Sequence, residues 1–453
     1  MKSRRRTHAH KILTAHETLM LLAALLCAAA ALGGPRAARA QTLSYERERG
    51  IAMLEVIKSD IKKNYYDPNF HGIDLDARFK AAAEKIKQAN SVGQVQAIIA
   101  QVLVDFDDSH LFFIAPGKAS RTEYGWQMQM VGDKCYVSAV QPKSDAEAQG
   151  LAPGDEVYSL DGYEPTRDNL WKMKYFYYSL RPRPVVKLVV VKPDGKRREL
   201  EVKSKITEGR VIRGNVESKD FGDFEREAEE AAHLNRHRFY DGIPDLYVWK
   251  MPEFNLAEAD VDAIMDRARK RKSLILDLRG NPGGYIKTLA RLIGNVFDHD
   301  VKIGDKKGRK EMKPDVAKTR GGDAVFKGQL IVLVDSNSAS SAEIFARVVQ
   351  LEKRGTVLGD RSAGAVMEAI QYPHEVGVDI VAFYGASITM ADLTMADGKS
   401  LEKVGVTPDE VLLPTASDMA AGRDPVLARA AALAGAKLDA EAAGKLFPVE
   451  WRK

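Results

Sequence analysis

Hydrophobic positions change their spacing along this chain, and each change marks a different kind of structure. From about residue 45 to 106, apolar residues recur every three or four positions: Ile51, Leu54, Ile57 and Ile61; then Phe79, Ala82, Ala83 and Ile86; then Val95, Ile98, Ile99, Val102 and Phe106. That period predicts three amphipathic helices, the first stopped at Tyr66-Asp67-Pro68. Between about 124 and 205 the pattern becomes short strands with turns. Residues 207–245 are polar and densely charged, and EREAEEAAHLNRHR reads as a solvated helix in a linker or an insertion. Further on, strands at 246–250, 274–278 and 331–334 alternate with helices at 259–270, up to Leu292, and from Ser340. Strand, helix, strand, helix implies an α/β core with a mainly parallel sheet. Residues 302–322, basic and Gly-rich, read as a mobile loop, and those beyond Pro425 as helices packed on the outside.

Two of the strand–helix junctions carry candidate chemistry. In IVLVDSNSASSAEIFARVVQ (331–350) a buried strand runs through a turn into a helix, with Ile344, Phe345, Val348 and Val349 on one face. A serine there sits at the positive end of the helix dipole, beside free N–H groups that can hold an oxyanion. Ser338, Ser340 and Ser341 read equally as helix caps. In SLILDLRGNPGGY (273–285) another buried strand runs into Gly280-Asn281-Pro282-Gly283-Gly284. Paired glycines let successive N–H groups converge as an anion-binding nest, although a plain tight turn uses the same residues. A nest and a serine on neighbouring units suggest the two halves of an acyl-transfer site.

DLRGNPGG followed by SNSASSAEIF resembles the tail-specific, or C-terminal-processing, serine peptidases and their tricorn-type relatives, over about residues 45–425. The resemblance implies a crotonase-like (ClpP/crotonase superfamily) α/β peptidase core with an N-terminal helical domain and an inserted PDZ domain. It makes Ser340, the second serine of Ser-Ala-Ser-x-x-Glu, the nucleophile, and Ser341 with Gly283 or Gly284 the oxyanion donors. One branch of the family uses a lysine 25 residues after the serine. Ala365 stands there, and no lysine lies between Lys353 and Lys399. The tricorn branch uses a Ser-His pair after the N-terminal helices and a glutamate before G-V-x-P-D. Those positions are Ser109, His110 and Glu402 here, with Glu368 as a rival carboxylate. The segment VSAVQPKSDAEAQGLAPGDEVYSLDG (137–162) resembles a PDZ domain, whose peptide-binding loop falls near Tyr124, Gly125 and Trp126. PDZ domains add an extended peptide to a sheet edge. This loop lacks the usual two glycines, which weakens tight carboxylate capture, and a rigid lid is the lesser reading of the module. A catalytically inactive peptide- or lipid-binding protein is the alternative on the same fold, and an acyl-CoA enzyme a more distant one.

The first 40 residues change the charge argument. A basic stretch with Arg4, Arg5 and Arg6, an apolar run at 19–32 and Ala38-Arg39-Ala40 form a secretory signal pattern with cleavage before Gln41. The apolar run is short for a membrane span, and an uncleaved anchor is the lesser reading. The signal holds seven basic residues and one acidic residue. Without them, 68 basic and 63 acidic residues become 61 and 62, a net charge of −1, so nothing favours nucleic acid. Cys27 leaves with the signal, and Cys135 remains alone, so no internal disulfide forms. His233 and His237, four apart on a charged stretch, lack the Glu of H-E-x-x-H, and neither metal nor organic cofactor is implied. The resulting division is a signal at 1–40, helices at 41–116, PDZ at 120–206, a charged linker or insertion at 207–244, a peptidase core at 245–416 and C-terminal helices at 417–453. The function it implies is periplasmic or secreted cleavage of unfolded proteins or peptide tails, with no membrane span once the signal is removed.

Overall fold

The computed structural model describes residues 35–117, 120–208, 232–377 and 381–452. The basic and apolar parts of the expected signal lie outside these, as does most of the charged segment after Glu208. Three helices open the described chain: α1 (Pro35–Asn64), α2 (Leu75–Lys87) and α3 (Val92–Val104). Asp74 and Ser91 cap α2 and α3 through side-chain oxygens that accept the N–H groups of Ala77 and Gln94. The apolar stripes of all three meet in one core with Leu54, Ile57, Phe79, Ile86, Ile99 and Phe106.

Strand β1 (Phe112–Ile114) leads to β2 (Ser120–Glu123) and a five-stranded antiparallel sheet. Its strands are β3 (Trp126–Val131), β4 (Lys134–Val140), β5 (Glu156–Leu160), β6 (Val185–Val191) and β7 (Arg197–Lys203), in the spatial order β3-β4-β5-β6-β7. Helix α4 (Asp145–Ala148) follows β4, helix α5 (Leu170–Lys174) follows β5, and β8 (Lys205–Glu208) pairs back to β2. Because β3 is an edge strand, one side of it has no strand partner among the described residues.

The α/β region is built on β9 (Arg238–Tyr240), β10 (Leu246–Lys250), β11 (Ser273–Asp277), β14 (Gln329–Val334), β15 (Gly355–Gly359) and β18 (Glu410–Val411), ordered β18-β15-β14-β11-β10-β9. All its pairings are parallel except β9 with β10. On β14, Leu330, Val332 and Val334 face one core, and Ile331 and Leu333 the other. Burial on both faces explains the unbroken apolar runs. Helices α6 (Glu258–Ala268), α7 (Ile286–Val296) and α8 (Ser341–Leu351) cover the first face.

Two expectations fail here. Residues 302–322 are not a loop throughout: they include most of β12 (Val301–Gly308) and β13 (Asp315–Ala317), which join β1, β16 (Met367–Val376) and β17 (Ala382–Met395) in a second sheet. Val301 and Ile303 alternate inward between lysines, a period-two signal obscured by Gly304 and Gly308. The C-terminal helices α9 (Ala416–Ala420), α10 (Pro425–Leu433) and α11 (Ala440–Gly444) are also more than an outer coat. Val426, Leu427, Ala430 and Ala431 of α10 close the second face of the parallel sheet.

Candidate active site

Ser340 is the N-cap of α8 and has φ +54° and ψ −120°, a conformation that L-residues rarely adopt. Such strain costs about 1–3 kcal/mol and persists only where the surroundings enforce it. Here Glu343 enforces it. Its carboxylate is fully buried and takes four donors: Ser362 Oγ (2.6 Å) and Gly364 N (2.7 Å) on Oε1, Ala365 N (2.9 Å) and Ser340 N (3.0 Å) on Oε2. Burial pushes this carboxyl up to about 7, against the pull of those donors. From sequence Glu343 is only the last letter of a motif; its four partners become visible when residues 362–365 fold against it.

The glycine loop lies beside this turn and is stitched to it at several points, among them Gly280 N–H to Asp335 Oδ1 (2.9 Å). Ser338 Oγ donates to Leu278 O (2.8 Å), Ala339 N to Asn281 O (2.9 Å) and Ser341 Oγ to Gly284 O (3.0 Å). At Gly283, φ is +101° and an added Cβ would stand 2.6 Å from Ser340 Cβ and 3.0 Å from Ser341 N. Gly283→Ala is therefore expected to displace the serine and cut turnover by roughly 100-fold or more, measured as kcat with folding checked by circular dichroism. Wild-type kcat in a folded Gly283→Ala protein would refute the close packing. The oxyanion assignment also narrows. Gly283 N–H is already donated to Asn281 Oδ1 (2.8 Å), whereas the N–H groups of Ser341 and Gly284 have no partner among the described residues.

The Ser109–His110 pair follows α3. Ser109 Oγ lies 2.8 Å from Glu402 Oε2 and 2.8 Å from His110 Nδ1, and Ser109 N–H donates to Glu402 Oε1 (3.1 Å). One hydroxyl proton cannot serve both neighbours. Given to Glu402, it leaves the serine oxygen to accept His110 Nδ1–H, so Nε2 keeps its lone pair and can act as a base. Burial depresses the His110 pKa, with the Asp108 charge opposing, so the ring is neutral at neutral pH. Burial also raises Glu402, opposed by its donors Ser109 and Val366. The rival Glu368 is half-exposed and pairs with Lys306 (3.3 Å). One short segment joins the two clusters: Ala365 O accepts Ser340 N–H (2.9 Å), and the next residue, Val366, donates N–H to Glu402 Oε2 (2.8 Å). Among the described residues no hydrogen bond joins Ser340 Oγ to His110.

Residues 246–412 match the sequence model of peptidase family S41. The chain carries an S41 peptidase region. The chain is 32% identical over 144 residues to the carboxy-terminal-processing protease of Bartonella bacilliformis, covering 32% of the chain and 31% of that protein. To the chloroplastic carboxyl-terminal-processing peptidase 2 of Arabidopsis thaliana it is 23% identical over 383 residues, covering 81% and 69%. Its fold is similar to the crystal structure of mature CPAF, with a TM-score of 0.61 and 14% identity over 83% of this chain and 94% of that one. The α/β region is thus an S41 peptidase core.

Beside that core, a groove of about 740 Å³ runs between the edge strand β3 and the two site loops, touching Gly280, Pro282 and Asn337. Tyr124, Gly125 and Trp126 are among the residues that line it, and the side chains of Tyr124 and Trp126, both 4% exposed, also belong to the core of the small sheet. Gly125 turns at φ +72°, and its carbonyl accepts Gln141 N–H (2.8 Å). What this stretch offers a ligand is backbone. The two histidines set aside for metal do not share a helix, because the helical turn ends at Leu234. His237 Nδ1 instead lies 3.0 Å from Trp249 Nε1.

Proposed function

We propose that the chain is an exported serine endopeptidase that cleaves unfolded proteins or peptide tails through an acyl-enzyme. Ser340 Oγ attacks the peptide carbonyl while His110 Nε2 takes its proton. Ser109 and Glu402 hold the imidazole, and the N–H groups of Ser341 and Gly284 receive the oxyanion. His110 then protonates the leaving amine, and water hydrolyses the ester with the same base. Loss of one oxyanion donor typically costs about 2.7–4 kcal/mol of transition-state stabilisation. The observation that carries this reading is the chain Glu402–Ser109–His110, tied through Ala365–Val366 to a strained serine on a strand-to-helix turn.

The five-stranded module supports a PDZ reading, with its free edge strand positioned to take an extended peptide into the groove beside the site. It is fastened to the nucleophile loop: Ser336 Oγ donates to Met130 O (2.6 Å), and Lys174 Nζ to Asn337 Oδ1 (3.2 Å). Export rests on the signal pattern, and no helix among the described residues is long and apolar enough to cross a membrane.

A second reading, an inactive peptide-binding protein, is favoured by the absence of a Ser340–His110 hydrogen bond, although catalytic hydrogen bonds often tighten only with substrate bound. The test is digestion of a denatured protein by wild type and Ser340→Ala, read by mass spectrometry, using enzyme from the native host. Its intact mass is expected to begin at Gln41. Fragments with wild type and none with Ser340→Ala support the peptidase; equal outcomes favour the binding protein.

A further inference from the structure

We propose that Asp108 is a positioning residue for His110: it holds the main chain of the Ser109–His110 turn while Glu402 holds the ring, and it sets a second negative charge beside the imidazole. This rests on the serine-peptidase reading above. Asp108 is 3% exposed and accepts three hydrogen bonds, from His110 N (2.9 Å) and Thr389 Oγ1 (2.8 Å) on Oδ1 and from the Tyr65 hydroxyl (3.0 Å) on Oδ2. The donors come from three separate parts of the fold: the turn itself, strand β17, and the residue just after α1. A parallel tie, Tyr66 N–H to Thr389 O (3.0 Å), fixes the end of α1 against the same strand.

The charge is what a mere anchor does not need. All three donors are neutral, and among the described residues no lysine or arginine pairs with Asp108; the nearby Lys403 pairs with Asp107. Burying an unpaired carboxylate is costly, and a neutral amide could bind the same main-chain N–H and threonine hydroxyl. A cation that Asp108 acts on is the imidazolium that forms when His110 takes the serine proton. Other titratable groups face this pocket. Tyr65 and Tyr66 lie at the end of α1, with His71 Nε2 2.9 Å from the Tyr66 hydroxyl and Arg309 donating to Tyr65 O, and Glu402 acts on the ring through Ser109. Asp108 raises the His110 pKa against burial, which is the direction a stabilised imidazolium requires.

Asp108→Asn tests this, because it keeps the acceptor for His110 N–H and removes the charge. The acid limb of kcat/KM is expected to move down by about one pH unit, with kcat reduced about tenfold and KM nearly unchanged. A purely structural residue would not move the pH profile. The same downward shift is expected in the His110 titration followed by NMR in a Ser340→Ala background, the resonance being assigned by its loss in His110→Gln. That titration needs no turnover, so it decides on Asp108 even if wild type proves inactive and the peptidase reading fails. A folded Asp108→Asn protein whose His110 titrates at the wild-type pH overturns the proposal.

Discussion

His110→Ala is expected to reduce peptide turnover as severely as Ser340→Ala, by roughly 10⁴–10⁶-fold, and the double variant to be no worse than either single one. A serine hydroxyl needs a positioned base near neutrality, and once the base is lost the nucleophile contributes little more. Glu402→Gln should fall between these variants and wild type, because it disturbs the proton order along Ser109 without touching substrate. The pH profile follows from the direction of the His110 shift. Burial lowers its pKa, so activity should hold below the ordinary histidine value of ~6.5 and fail as falling pH protonates Nε2. Steady-state kinetics on an internally quenched peptide check each point. The structure also supplies a rival that the spacing argument overlooked. Lys174 is largely desolvated, its pKa is lowered by burial, and it contacts Asn337 three residues before the serine. Lys174→Met should retain most activity; if it is dead and His110→Ala is active, the base is lysine.

The second large effect belongs to Glu343. Replacing it by alanine strips the acceptor from the buried N–H groups of Gly364 and Ala365, while Ser340 N–H keeps Ala365 O. At about 1–3 kcal/mol for each buried donor left unpaired, the two together cost roughly 2–6 kcal/mol of stability. Activity should fall further than stability requires, since the strained Ser340 backbone loses its restraint. A pH signature accompanies this. The carboxyl is raised from 4.5 to about 7 in the fold, so the folded state binds more protons than the unfolded state between those values. Its contribution is fully present below pH 4.5 and is lost as pH rises through 7. Ser362 can accommodate that proton on Oε1, because a hydroxyl can turn from donor to acceptor whereas a backbone N–H cannot. Denaturant melts of wild type against Glu343→Gln across pH 4 to 8 should show the difference shrinking over that window. A difference that grows instead would contradict the raised carboxyl.

Much of this arrangement is legible in the chain because it is local. The apolar run of β14, the turn at 335–338 and the helical spacing of Ile344, Phe345 and Val348 all lie within twenty residues, and the serine sits where they meet. Ser109, His110 and Glu402 carried no such local signal; without the resemblance to a known family, a histidine beside Leu111 and Phe113 reads as a core residue. Hydrogen bonds to side chains account for what was missed. Which glycine keeps a free N–H depends on the Asn281 side chain, and the roles of Glu343 and Asp108 depend on partners 19 to 281 positions away. Strand β12 was hidden because its inward residues Val301 and Ile303 alternate with lysines in a glycine-rich stretch.

The most direct test of Ser340 as a His110-activated nucleophile is labelling with a serine-directed fluorophosphonate, with the adduct located by peptide mass. One adduct is expected, on Ser340 of the wild-type protein. Its rate should fall with pH as His110 is protonated, and labelling should be lost in Ser340→Ala and in His110→Ala. Labelling at another residue, or undiminished labelling in His110→Ala, would contradict the account.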